Sequence, residues 1–211
     1  MENRVGPGDP GVSVGRMRWD RLFDDLETQL DHDRREEERA LAIESERARV
    51  GRLGLRERIA AMSGADGGAV RLELVDATSV QLRPTAFGRD WIGGVGGGPP
   101  GAQCLVPVSA IAAVAASRRQ VEESLAPQAA PSGLVERIGL AFALRDLGRR
   151  RAGVEVRTLD GRVHGTIDRV ASDHLDLALH EPGAPRRERE VRGYRLVPFA
   201  RITAVVTTDA R

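Results

Sequence analysis

Arginine is the residue type in this chain with the most chemistry to offer. Arg145, Arg149, Arg150 and Arg151 crowd one short stretch, and Arg186, Arg187, Arg189, Arg192 and Arg195 follow in a polar loop. Each guanidinium presents a planar fork of donors that matches phosphate oxygens. Arg145, Arg149, Arg150, Arg151, Arg186 and Arg187 are therefore the candidate nucleic-acid contacts. The competing reading is a solvated helix end, where arginines complement the negative end of the helix dipole. Glu188 and Glu190 also dilute the loop. All 32 basic residues are Arg, a bias that a GC-rich genome produces by codon use alone, and the net charge is only +1. That net charge argues against a wholly basic nucleic-acid coat. Residues 131–211 nevertheless hold 15 arginines against 11 acidic residues, an excess of four.

The other reactive residue types have no setting for catalysis. His32, His164, His174 and His180 are scattered and read as solvated loop residues, and the single cysteine, Cys104, opens an apolar strand and reads as core. Asp173-His174-Leu175-Asp176 has metal-binding residue types, but consecutive strand or turn positions point different ways. The glycine run from Gly93 to Gly101 lacks the Gly-Lys-Ser/Thr ending of a phosphate loop and joins two strands. Trp91 offers a stacking surface for a base, with barrel packing as the alternative. The expectation is a chain that is not an enzyme, with no cofactor and no metal.

The elements that must position these residues show an internal repeat. In Gly153–Val206, apolar and polar residues alternate up to Asp160-Gly161, a dipeptide that favours a two-residue hairpin turn with positive φ at both central positions. Further short strands follow through Ile167, Leu175–Leu179 and Tyr194–Val206, with Pro198 splitting the last two. A looser copy spans Ala69–Val114. Val70 and Asp76 match Val154 and Asp160 at an offset of 84, and Leu105-Val106-Pro107, Ile111 and Val114 match Leu196-Val197-Pro198, Ile202 and Val205 at 91. Upstream, Gly54–Ile59 matches Gly133–Ile138, so a helix precedes each copy. Five short strands in about 55 residues fit a small bent barrel better than a sandwich, which needs about 100.

The pattern V-x-V-x-x-x-D-G-x-x-x-G-x-I, a D-x-x-x-L segment and a closing V-P-x-x-x-I strand resemble the Sm-like (LSm, SH3-like) small β-barrel. That resemblance implies a short helix before five bent strands, and RNA contact through an Asn in an Asn-Leu-x-Leu stretch. Here the matching residues are Asp176-Leu177-Ala178-Leu179, and the later Arg-Gly signature is replaced by Pro198-Phe199 and Pro107-Val108. The Leu-Val-Pro strand also resembles PRC-type adaptor barrels. As a whole, Arg18–Glu27 followed by two such barrels is similar to a functionally uncharacterised actinobacterial protein family.

The expected fold class is α+β: an N-terminal amphipathic helix, then two repeated units, each a helix plus a five-stranded small β-barrel. The division is a disordered tail at 1–15, a helical segment at 16–62, a first barrel at 63–125, a linker at 126–133, and helix plus second barrel at 134–211. Trp19, Leu22, Phe23, Leu26 and Leu30 recur at helical spacing and form the candidate protein interface. With 41% hydrophobic but only 3% aromatic residues, the cores must be built from Val, Leu, Ile and Ala. A unit this small buries only about 60% of its unfolded surface, so packing against another part or copy is expected. No stretch reaches 18 consecutive apolar residues and no signal-peptide order opens the chain, so no membrane partner and a cytoplasmic location are expected. The function expected is a non-enzymatic interaction or scaffold protein with a protein partner or self-association. The alternative is an RNA or single-stranded nucleic-acid binder.

Overall fold

The structure is a computed structural model that describes residues 13–64, 68–127, 137–182 and 190–208, with the backbone alone for 13–21. The expected tail through residue 12, most of the linker (128–133) and the start of the second helix (134–136) lie outside the described residues. The chain divides into two units, one ending at Leu53 and one from Gly54 onward.

The first unit is a single helix, α1 (Ser13–Val50), 38 residues long. Ion pairs one turn apart run along it, Asp31 with Arg35 and Glu46 with Arg49, and His32 Nε2 lies 3.3 Å from Glu36. Exposed pairs of this kind add little to helix stability. Leu41 and Ile43 are exposed on this helix.

The second unit holds α2 (Leu55–Ser63), α3 (Arg118–Glu123) and α4 (Leu140–Arg149) around ten strands. These are β1 (Val70–Leu74), β2 (Ser79–Phe87), β3 (Trp91–Gly96), β4 (Gln103–Pro107), β5 (Ile111–Ala115), β6 (Gly153–Thr158), β7 (Gly161–Val170), β8 (His174–Leu179), β9 (Gly193–Pro198) and β10 (Ile202–Thr207). All ten form one antiparallel sheet in the order β5-β1-β2-β3-β4-β10-β6-β7-β8-β9. This overturns the expectation of two repeated helix-plus-barrel units. Closing a barrel would require each run of five strands to satisfy its own outer edges. Instead β4 gives its free edge to β10, with Val205 opposite Leu105 and Val206 opposite Cys104. The result is one open sheet whose edges are β5 and β9.

The packing follows the same logic. One buried cluster, with Ile59, Leu72, Leu82, Ile92 and Val106, also takes Ala204 and Val206 from β10. The other, with Leu144, Val156, Ile167, Leu175 and Leu177, takes Trp91 and Leu105 from β3 and β4. Neither half encloses its own core, as expected where small aliphatic side chains must fill a volume that few aromatics share.

Local geometry also differs from the sequence reading at the second hairpin. Thr158 pairs with Gly161, so the turn residues are Leu159 and Asp160, and of the Asp160-Gly161 pair Gly161 alone has positive φ, at 134°. In the first hairpin Ala77 carries the left-handed conformation, at φ 61°, while the Asp76 carboxylate accepts from the Thr78 amide at 2.9 Å and hydroxyl at 2.6 Å.

Candidate functional site

Helix α4 carries the arginine set, and residues of the first half position it. Asp90 Oδ1 accepts a hydrogen bond from the Leu140 amide at 2.8 Å, supplying from a distance the cap that Gly139 has no side chain to make. The Ile138 carbonyl accepts from Trp91 Nε1 at 2.9 Å and from the Arg89 amide at 2.9 Å. Trp91 is thus a buried clamp between β3 and the entry to α4. Farther along, a Cβ at Gly148 would meet the Ile167 carbonyl oxygen at 3.3 Å, so the helix lies close against β7.

The arginines on α4 do not form one patch. Arg145 donates to the Ala171 carbonyl at 3.2 Å. Arg149 and Arg150 share Asp146, at 3.0 and 2.8 Å, and Arg149 also lies 5.9 Å from the centre of the Phe142 ring. Arg145, Arg149 and Phe142 line a groove of about 330 Å³ against β7, which Asp168 and Arg169 complete. Arg150 lines an adjoining, more apolar cleft of about 390 Å³ that shares Phe142 with the first and is floored by Trp91, Leu105 and Val205. Arg151 closes the helix in the left-handed region, at φ 50°, its amide bonded to the Gly148 carbonyl. Arg186 and Arg187 lie outside the described residues. Arg169 was missed because it reads as an ordinary outward strand residue; the tie between Gly148 and Ile167 that makes it a neighbour of α4 leaves no local mark in sequence.

A second charged group also escaped the sequence reading. Glu155 is buried at 8% exposure, with Arg157 Nε at 2.6 Å, His164 Nε2 at 3.2 Å and an Arg162 nitrogen at 3.9 Å. Arg157 reaches on to the Gly97 carbonyl at 2.5 Å, which ties β6 to the turn after β3. Register could have found it, since the hairpin sets Glu155 opposite His164 and Arg157 opposite Arg162. His180, read as solvated, is buried with Nε2 at 2.9 Å from Thr166 Oγ1. Asp76 Oδ2 accepts from the buried Thr203 hydroxyl at 2.7 Å. Burial pushes the Asp76 carboxyl up, but the hydrogen bonds from Thr78 and Thr203 outweigh it and hold the group below the usual carboxylate range. Burial pushes the Cys104 thiol up to about 12, which leaves it neutral.

The candidate protein interface on α1 is uncovered within its own unit: Leu22, Phe23, Leu26 and Leu30 are all exposed, and the Trp19 side chain lies outside the described residues. The second unit has its own exposed apolar strip at an edge. On β9, Tyr194 is 60% and Leu196 67% exposed, while Val197 between Leu196 and Pro198 points into the core. Among the described residues β9 pairs with β8 alone and β5 with β1 alone. No group of three or more His, Cys, Asp or Glu among the described residues is placed to hold a metal, and no described helix is long and apolar enough to cross a membrane.

Comparison of the chain with protein-family models, with curated proteins and with solved structures returns no match. The functional reading therefore rests on the geometry.

Proposed function

We propose that this protein is a non-enzymatic interaction module that assembles by edge-to-edge strand pairing, the β9 edge of one copy meeting the β5 edge of the next. The observation that carries the reading is the β4–β10 junction within the chain. There a strand of the Leu-Val-Pro type receives a Val-rich strand, Leu105 opposite Val205, and Leu105 is reduced to 8% exposure. Leu196-Val197-Pro198 of β9 is the same kind of strand with its outer edge unoccupied among the described residues, and Ile111–Ala115 of β5 is the counterpart of β10. Carrying the register across by the offset of 91 places Leu196 opposite Val114 of a second copy, and Arg195 opposite Ala115.

Natural edge strands are blunted by charges, prolines or covering segments. β5 has no charged residue and no proline. β9 carries Arg195 and ends on Pro198, but β4 ends on Pro107 in the same way and still pairs with β10, and β9 places Tyr194 and Leu196 outward. An open edge of this kind is a template for strand addition, in which main-chain hydrogen bonds supply affinity and alternate side chains supply specificity. The exposed Leu22, Phe23, Leu26 and Leu30 face of α1 adds a second contact of the same non-catalytic kind. Light scattering coupled to size exclusion over a concentration series tests the reading. Masses at multiples of the monomer that rise with concentration support it, and a monomer at every concentration sinks it.

A further inference from the structure

The groove between α4 and β7 has a chemistry that strand pairing does not use. From the helix come Phe142, Arg145 and Arg149; from the strand, Asp168 and Arg169. Arg169 pairs through its backbone with Asp176 of β8, and its side chain makes no hydrogen bond or ion pair among the described residues. Arg145 has one carbonyl acceptor, at Ala171, and no ion-pair partner among them. A guanidinium carries five N–H donors, so most of the donor capacity of these two side chains is unspent. Arg149 shares the Asp146 carboxylate with Arg150, which leaves that pair with surplus positive charge as well. Phe142 is 50% exposed where this groove meets the Arg150 cleft, lining both, with its ring beside the Arg149 guanidinium.

The ring decides between occupants. An acidic peptide or a free phosphate would engage the arginines and leave the face of Phe142 turned to this groove unused. A phosphate that carries a planar base uses both. Bases in a duplex are already stacked on each other, so a side-chain ring is open only to an unstacked base. We infer that this groove binds single-stranded nucleic acid, with Arg145, Arg149 and Arg169 on the phosphates and Phe142 against a base. The site differs from the arginine set legible in the sequence: Arg150 turns to another cleft, Arg151 closes the helix, and Arg169 joins from β7. It is independent of the strand edges, so loss of self-association leaves it intact.

The test is a fluorescence-anisotropy titration of the full chain with a labelled, mixed-sequence single-stranded RNA at several salt concentrations. Three phosphate contacts predict a slope of log affinity on log salt near −2.1, at about −0.7 per phosphate on a single strand. Arg169→Ala should flatten it to about −1.4. Phe142→Ala should leave the slope unchanged and weaken binding between about fivefold and about a hundredfold, the worth of stacking one base. Arg118→Ala, at a fully solvated arginine of α3, should change neither. Both test positions are exposed, so circular dichroism should show the variants folded; Arg149→Ala serves as a second slope variant. Absence of binding at low salt overturns the inference. So does equal competition by polyglutamate together with no effect of Phe142→Ala, which would make the groove a site for acidic protein segments.

Discussion

Replacing Leu196 by Lys should abolish self-association while leaving the fold untouched. Leu196 is 67% exposed, whereas Leu105, its counterpart at the internal junction, is 8% exposed. Pairing at the β9 edge would therefore remove roughly three-fifths of the Leu196 surface from water. Full burial of a Leu side chain is worth about 1.5–3 kcal/mol, so the contact contributes about 1–2 kcal/mol, or about five- to thirtyfold in Kd. Lysine loses that term and adds the cost of desolvating an ammonium, so the measured weakening should exceed the upper figure. A lysine at an edge is also the device by which natural sheets prevent such pairing. The assay is sedimentation equilibrium of parent and variant, with thermal melts of both. Because the side chain is exposed in the single chain, the variant's stability should stay within about 0.5 kcal/mol of the parent. An unchanged association constant refutes the reasoning. A large drop in melting temperature refutes it differently, by showing that Leu196 is already covered within one copy. Leu105→Lys is the contrasting variant and should unfold the junction.

Three further outcomes follow from the packing. Thr203→Val removes the hydroxyl that Asp76 accepts from and should cost about 1.5–3 kcal/mol at pH 7 in chemical denaturation, as for a hydrogen bond to a charged group. Because the Asp76 carboxyl is held low in the folded state, its contribution is present above the unfolded value of about 3.9 and is lost as the pH falls through the folded value. The gap between parent and variant should accordingly narrow in that acid range, and a gap independent of pH would count against the assignment. Asp90→Ala should destabilise the second unit by about 0.5–2 kcal/mol through loss of the α4 cap, read from the same denaturation curves. Cys104 should resist thiol reagents at pH 8 until the protein is unfolded, since burial holds the thiol at about 12; rapid native labelling would contradict its place in the core.

Strand positions and their alternation were legible because Val-x-Val patterns and turn residues act locally. Which edge bonds to which was not, because β4 and β10 are about 100 residues apart and each looks like an outer strand of its own half. Leu196 shows the same limit. In sequence it is the first residue of a Leu-Val-Pro that matches Leu105-Val106-Pro107, and only the neighbour across the edge decides whether it is covered like Leu105. Of the three arginines lining the groove, Arg145 and Arg149 were legible on α4 and Arg169 was not. Their division from Arg150 depends on the tie from Asp90 to Leu140 and the close approach of Gly148 to Ile167, contacts between distant segments. The buried Glu155 group lay within reach of register counting, once the hairpin turn is set at Leu159-Asp160.

The central claim, pairing of β9 with β5 of a second copy, is tested most directly by cross-linking between two single-cysteine additions. Directly opposed residues on antiparallel strands have Cα atoms about 4.5–5.5 Å apart, within the span a disulfide bridges. Mixing Leu196→Cys protein with Val114→Cys protein under mild oxidation should give a covalent dimer containing one of each, while the buried Cys104 stays unreacted. No covalent dimer from the mixture, or as much from either protein alone, would contradict the account.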